Sequence, residues 1–170
     1  MTNPTASHVP ASALRFPHLL SIAFLITLID QVTKWIVISH LHLHESVPVV
    51  PGIFSVTRVH NSGIAFGLFP GLPDVFMVIT LISMLFVIYF YLTSESRGTL
   101  LTLGCAFILG GAMGNLLDRF RFGYVVDFVN FSFWPAFNVA DASVSIGVAL
   151  LLTSFFRGRR GMSEDASDSV

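Results

Sequence analysis

Four long apolar stretches, parted by polar segments of unequal length, set the pattern of this chain. They run from about Leu19 to Ser39, Val75 to Thr93, Thr99 to Leu117 and Val139 to Phe156. Each is close to the roughly 20 residues that a helix needs to cross a bilayer, where lipid offers backbone groups no water to bond. The pattern predicts four spanning helices. The first is opened by Pro17, at a position where the missing N–H does no harm. The third is expected to stop at Asp118 and Arg119, and the fourth carries Asp141 in its first turn. The first stretch is unlike a cleavable leader: its apolar core is too long, its start is weakly basic, and no small-residue cleavage site follows it.

The segments between the spans are a tail over residues 1–16, a loop over 40–74, a tight turn "SESRG", a second loop over 118–137, and a tail over 158–170, so that 17–157 form a single membrane domain. "IFSVTRVHN" alternates as a short surface strand or hairpin does. The expected fold is an all-α integral membrane protein of four helices, with a small β element outside the membrane and an outer-surface loop. Composition agrees: 54% of the residues are hydrophobic and 11% charged, beyond the roughly 45–50% apolar share of soluble domains. A net charge of -1 gives no basic face for nucleic acid. Cys105 lies in an apolar run and reads as a small packing residue.

Four crossings put both termini on one side. Arg15, Arg97, Arg157, Arg159 and Arg160 share that side, against Arg58, Arg119 and Arg121 on the other, so the termini are expected to be cytoplasmic and both long loops outside. Asp30, Lys34, Asp118, Arg119 and Asp141 then all fall toward the outer leaflet. A transporter would spread such groups around the midplane and toward both faces.

The polar positions of the spans have structural readings beside chemical ones. Asp30 and Lys34, four apart, suit an ion pair, or a shared cavity with the other charges. Gly110 and Gly114 let another helix approach closely. Asn115, Asp118 and Arg119 line one side of the last turn of the third span, as a polar helix end also would. Asn138 reads as an N-cap, with Asp141 as an acidic first-turn residue. Asp127, in "YVVDFVNF", has no such explanation and must find partners elsewhere in the fold or have a raised pKa. Two carboxylates meeting in a low-dielectric site would share a proton, which is the chemistry of an aspartic peptidase. The 14-residue separation of Asp127 and Asp141 does not by itself bring them together. His40, His42 and His44 repeat every second residue, as along one side of a strand, but no carboxylate or cysteine cluster completes a zinc site around them.

Five segments, in order on four spans, resemble the signal peptidase II family of bacteria: "DQVTK" from Asp30, "NSGIAF" from Asn61, "GGAMGNLLDR" from Gly110, "VVDF" ending at Phe128, and "FNVADASVSIG" from Phe137. The likeness covers about residues 17 to 157. It implies a metal-free aspartyl peptidase of the bacterial plasma membrane, without cofactor and acting as a monomer among membrane lipids. Its substrates would be diacylglyceryl-modified prolipoproteins, cut before the lipid-bearing cysteine. By resemblance Asp127 and Asp141 are the catalytic pair, and Asp30, Lys34, Asn61, Gly63, Asn115, Asp118, Arg119, Asn138 and Ala140 surround the site. Residues 54–69 are expected to cover a bound substrate. A proton-coupled transporter or channel subunit and a non-catalytic binder of lipidated peptides are the competing classes.

Overall fold

The computed structural model describes residues 11–63, 73–94 and 98–167. Its elements are α1 (Ala11–His40), β1 (Ser46–Val50), β2 (Phe54–Asn61), α2 (Pro73–Thr93), α3 (Thr99–Phe122), β3 (Val125–Phe131), β4 (Trp134–Phe137) and α4 (Val139–Ser167). All four helices are long and apolar enough to cross a membrane. The strands form one antiparallel sheet in the order β1-β2-β3-β4.

Helix α3 is the hub. Half of its span is buried inside the protein, against 22%, 17% and 17% for α1, α2 and α4, whose exposed faces carry large apolar side chains such as Phe24, Trp35, Ile82, Phe86 and Phe155. With lipid as apolar as leucine, helices associate where small residues let backbones close up. Glycines of α3 do this on two sides. A methyl group at Gly110 would meet the carbonyl oxygen of Ala23 in α1 at 2.7 Å, and one at Gly111 would overlap the carbonyl of Ala140 in α4. Lower in the same seam Gly104 faces Gly147. Cys105 is fully buried among Leu19, Tyr91, Leu101 and Leu109, a packing role.

Gly111→Ala is therefore expected to push α4 off α3 at the residue preceding Asp141 and to cost about 1–3 kcal/mol. At Gly98, where an added methyl group meets nothing within 4 Å, the same change should stay within about 0.5 kcal/mol. Thermal unfolding of the two variants in detergent checks this. Equal midpoints would contradict the close seam.

Several boundaries differ from the pattern-based expectation. Pro17 lies inside α1, which starts at Ala11. Helix α3 runs past Asp118 and Arg119 to Phe122, and only Gly123, with φ 75°, stops it, its N–H returning to the Arg119 carbonyl. This left-handed cap is a conformation glycine adopts without strain. Helix α4 continues beyond Phe156 to Ser167. The second long loop is mostly strand: β3 and β4 extend the sheet begun by β1 and β2, so Asp127 sits on a strand and not in a loop. The three histidines share no strand. His40 ends α1, and 41–45 connect it to β1 through a turn at 43–44, with His44 at φ 65°. Among the described residues no group of three His, Cys, Asp or Glu side chains could hold a metal ion.

Candidate active site

Asp127 enters from β3, where a hydrophobic run, Val125, Val126 and Phe128, buries the strand and the carboxyl with it. In the sheet register Val59 lies opposite Asp127 and Asn61 opposite Val125. From that diagonal position Asn61 donates Nδ2 to Asp127 Oδ2 at 2.9 Å, while Asn138 donates Nδ2 to Oδ1 at 2.7 Å. The carboxyl that lacked a local explanation thus takes one amide on each oxygen.

Asp141 enters from the first turn of α4. Asn138 Oδ1 accepts the Asp141 N–H at 2.9 Å, and Asp141 Oδ2 accepts the Asn138 N–H at 3.2 Å, the reciprocal arrangement of a capping box. Asn115 of α3 donates Nδ2 to Asp141 Oδ1 at 2.8 Å. Asn138 is therefore bonded to both aspartates at once, and it brings together two groups that sequence separation left apart.

Behind the pair lies a buried ionic cluster. Lys34 reaches Asp30 Oδ2 at 2.8 Å, Asp118 Oδ2 at 2.9 Å and Asn115 Oδ1 at 2.9 Å. The i,i+4 ion pair and the shared polar site are thus both present. Asp30 Oδ1 accepts the N–H of Ala140 at 2.8 Å, capping α4 from another helix with a negative charge where the helix dipole favours one. Asp118 also accepts the N–H of Val126 at 3.1 Å and so ties α3 to β3. Gly114 is required here, since a methyl group would overlap Asp30 Oδ2, and Ala140 is fully buried against it. Gln31, to which the sequence reading gave no role, also contributes: it donates to Asp118 Oδ1 at 2.9 Å and to the Gly114 carbonyl at 3.1 Å. Its signal was its place beside Asp30, within the same first motif.

Arg119 donates to the Gly63 carbonyl at 3.3 Å, lies 5.9 Å from the Phe76 ring centre, and interacts electrostatically with Asp141, Asp127 and Asp118. Gly63 donates its N–H to Asn61 Oδ1 at 3.0 Å, which fixes the amide that serves Asp127. Of the expected covering segment, 54–61 form β2, and 64–69 lie outside the described residues.

Burial first, and the Asp141 carboxylate second, push the Asp127 carboxyl up to about 7, against the opposing pull of Asn61, Asn138 and Lys34. Asp141, Asn115, Asn61 and Arg119 open onto a groove of about 750 Å³ between α2, α3 and α4. Ile79, Ile108, Ala112 and Val144 make it apolar, and β4 roofs it.

Fold and site define a four-span membrane protein with a carboxylate pair set in an amide network beside an apolar groove. The chain belongs to the signal peptidase II family, whose sequence model, described as signal peptidase (SPase) II, matches residues 22–157. A lipoprotein signal peptidase of Halothermothrix orenii is 44% identical over 131 residues, 77% of this chain and 90% of that one. Another, of Syntrophus aciditrophicus, is 39% identical over 150 residues, 83% and 93% of the two chains. A bacterial membrane enzyme structure solved at 2.3 Å superposes with a TM-score of 0.78 at 30% identity, covering 83% of this chain and 88% of its own. The protein is accordingly an aspartic peptidase of the bacterial membrane, multi-pass, of the family that removes signal peptides from lipoproteins.

Proposed function

We propose that Asp127 and Asp141 are the water-activating pair of this peptidase, and that it cuts diacylglyceryl-modified prolipoproteins before the lipidated cysteine. The observation that carries this reading is the double attachment of Asn138, which bonds Asp127 through Nδ2 and Asp141 through its backbone N–H and Oδ1. Asp141 lines the groove and serves as the ionised member, taking a proton from water as its oxygen attacks the scissile carbonyl carbon. Asp127, with its raised affinity for a proton, donates to the carbonyl oxygen. The tetrahedral intermediate then collapses: one of its hydroxyls returns a proton to Asp127 as the carbonyl re-forms, the C–N bond breaks, and the departing cysteine amine takes up the proton from Asp141. The apolar groove suits the acyl chains or apolar helix of a precursor. The arginine distribution supports a site facing outward, with cytoplasmic termini and with 17–157 as the membrane domain. Incubating the purified protein with a lipidated precursor in liposomes and sequencing the products tests the cut. A new N-terminus other than the lipidated cysteine would overturn it.

The proton on Asp127 gives a pH dependence. Its carboxyl lies above the ordinary 3.8 in the folded chain, so folding retains a proton that the unfolded chain releases. The stability this brings is complete below about pH 4 and is lost as pH rises through about 7. The thermal midpoint should fall between about pH 4 and pH 7, and Asp127→Asn should flatten that fall. The alkaline limb of kcat/KM should lie near 7 in the same range. A profile flat to about pH 9 would remove Asp127 as proton donor.

A further inference from the structure

Lys34 is 2% exposed, and its ammonium is engaged by three groups of the protein itself. Two of its contacts, to Asp30 and Asp118, are ion pairs. The third goes to a neutral amide, Asn115 Oδ1, at 2.9 Å. A carboxamide can turn over and exchange its carbonyl for its NH2. An ammonium only donates, so the end of Asn115 that meets Lys34 must be the oxygen. Nδ2 is thereby aimed at Asp141 Oδ1, 2.8 Å away. Asn138 Nδ2 adds a second donor to Asn115 Oδ1 at 3.1 Å, and its own orientation is set by the Asp141 N–H on Oδ1. Turned over, Asn115 would place a carbonyl oxygen against Asp141, lone pair facing lone pair.

We propose that Lys34 is a positioning residue that acts through Asn115: its ammonium fixes the polarity of that amide and so keeps an N–H donor on Asp141. Lys34 touches neither substrate nor water in this scheme, which rests on the assignment of Asp127 and Asp141 as the cutting pair. A lysine that served only to neutralise Asp30 and Asp118 would stabilise the fold without governing the rate of each folded molecule.

A double-mutant cycle separates the two roles. Lys34→Met, Asn115→Ala and the combined variant are purified in detergent, their folded fractions are taken from thermal unfolding, and kcat and KM are measured on a lipidated precursor peptide. Lys34→Met and Asn115→Ala are each expected to lower kcat by about 10- to 100-fold with KM within about twofold. The combined variant should be no slower than Asn115→Ala alone, within about threefold, because without the amide Lys34 has nothing to orient. Losses that multiply, or an unchanged kcat per folded molecule, would overturn the proposal. If Lys34→Met fails to fold, Lys34→Met/Asp118→Asn keeps the charge of the cluster unchanged and takes its place in the cycle, with Asn115→Ala added to it for the combined form. Asp127→Asn and Asp141→Asn are run alongside. Should either stay active, the cutting pair is wrong; should both be inactive while the cycle is additive, only the role of Lys34 is.

Discussion

Asp127→Asn and Asp141→Asn are each expected to lower cleavage of a lipidated precursor by about 10²–10⁴-fold, the range for loss of a positioned acid or base. Both changes keep the shape of the side chain. Asp127 already accepts an amide on each oxygen, and an asparagine there must turn an NH2 toward Asn61 or Asn138, at a local cost. The folded protein should nevertheless survive, because the cap of α4, the Lys34 cluster and the glycine seam do not depend on Asp127. Cleavage kinetics together with thermal unfolding make the measurement. Loss of fold in place of loss of rate would turn these residues into structural ones, and a lipidated-peptide binder would keep its affinity in both variants.

The second large effect falls on Asn138. Asn138→Ala removes the N-cap of α4, the amide on Asp127 Oδ1 and a donor to Asn115 at once. The cap alone is worth about 1 kcal/mol, and a buried acceptor left unmade adds about 1–3 kcal/mol. Activity should fall by about 10²-fold as the donor on Asp127 is lost. Asn138→Ser divides the two parts, since serine caps a helix but is too short to reach Asp127. It should recover about 1 kcal/mol of stability without recovering the rate. Full recovery of both by serine would show that Asn138 is only a cap.

The membrane helices were legible because hydropathy states them directly: a run of 20 apolar residues has few alternatives. Their ends were less so. Helix α3 passes through Asp118 and Arg119 because buried partners, Lys34 for Asp118 and the Gly63 carbonyl for Arg119, make charges tolerable inside a helix. A stop was expected there from charge alone. The sheet was half legible. "IFSVTRVHN" alternates openly, whereas "VVDFVNF" is buried on both faces at its start and shows no alternation. The histidine period was misleading because α1 runs through His40 and a turn at His44 breaks the strand it implied.

For the site, residue types and their crowding at one end were legible, as was the capping pair of Asn138 and Asp141. Their connections were not. That Asp30 caps α4, that Asp118 serves β3 and that Asn138 joins two carboxylates are long-range contacts, and spacing holds no trace of them.

The central claim is that Asp127 and Asp141 act as one unit, and the double variant Asp127→Asn/Asp141→Asn tests it most directly. In single-turnover cleavage of a lipidated precursor, beside both single variants, its residual rate should match theirs within about threefold, because a pair sharing one task is disabled by the first loss. A double variant slower by the product of the two single losses, or either single variant cleaving at the full rate, would contradict it.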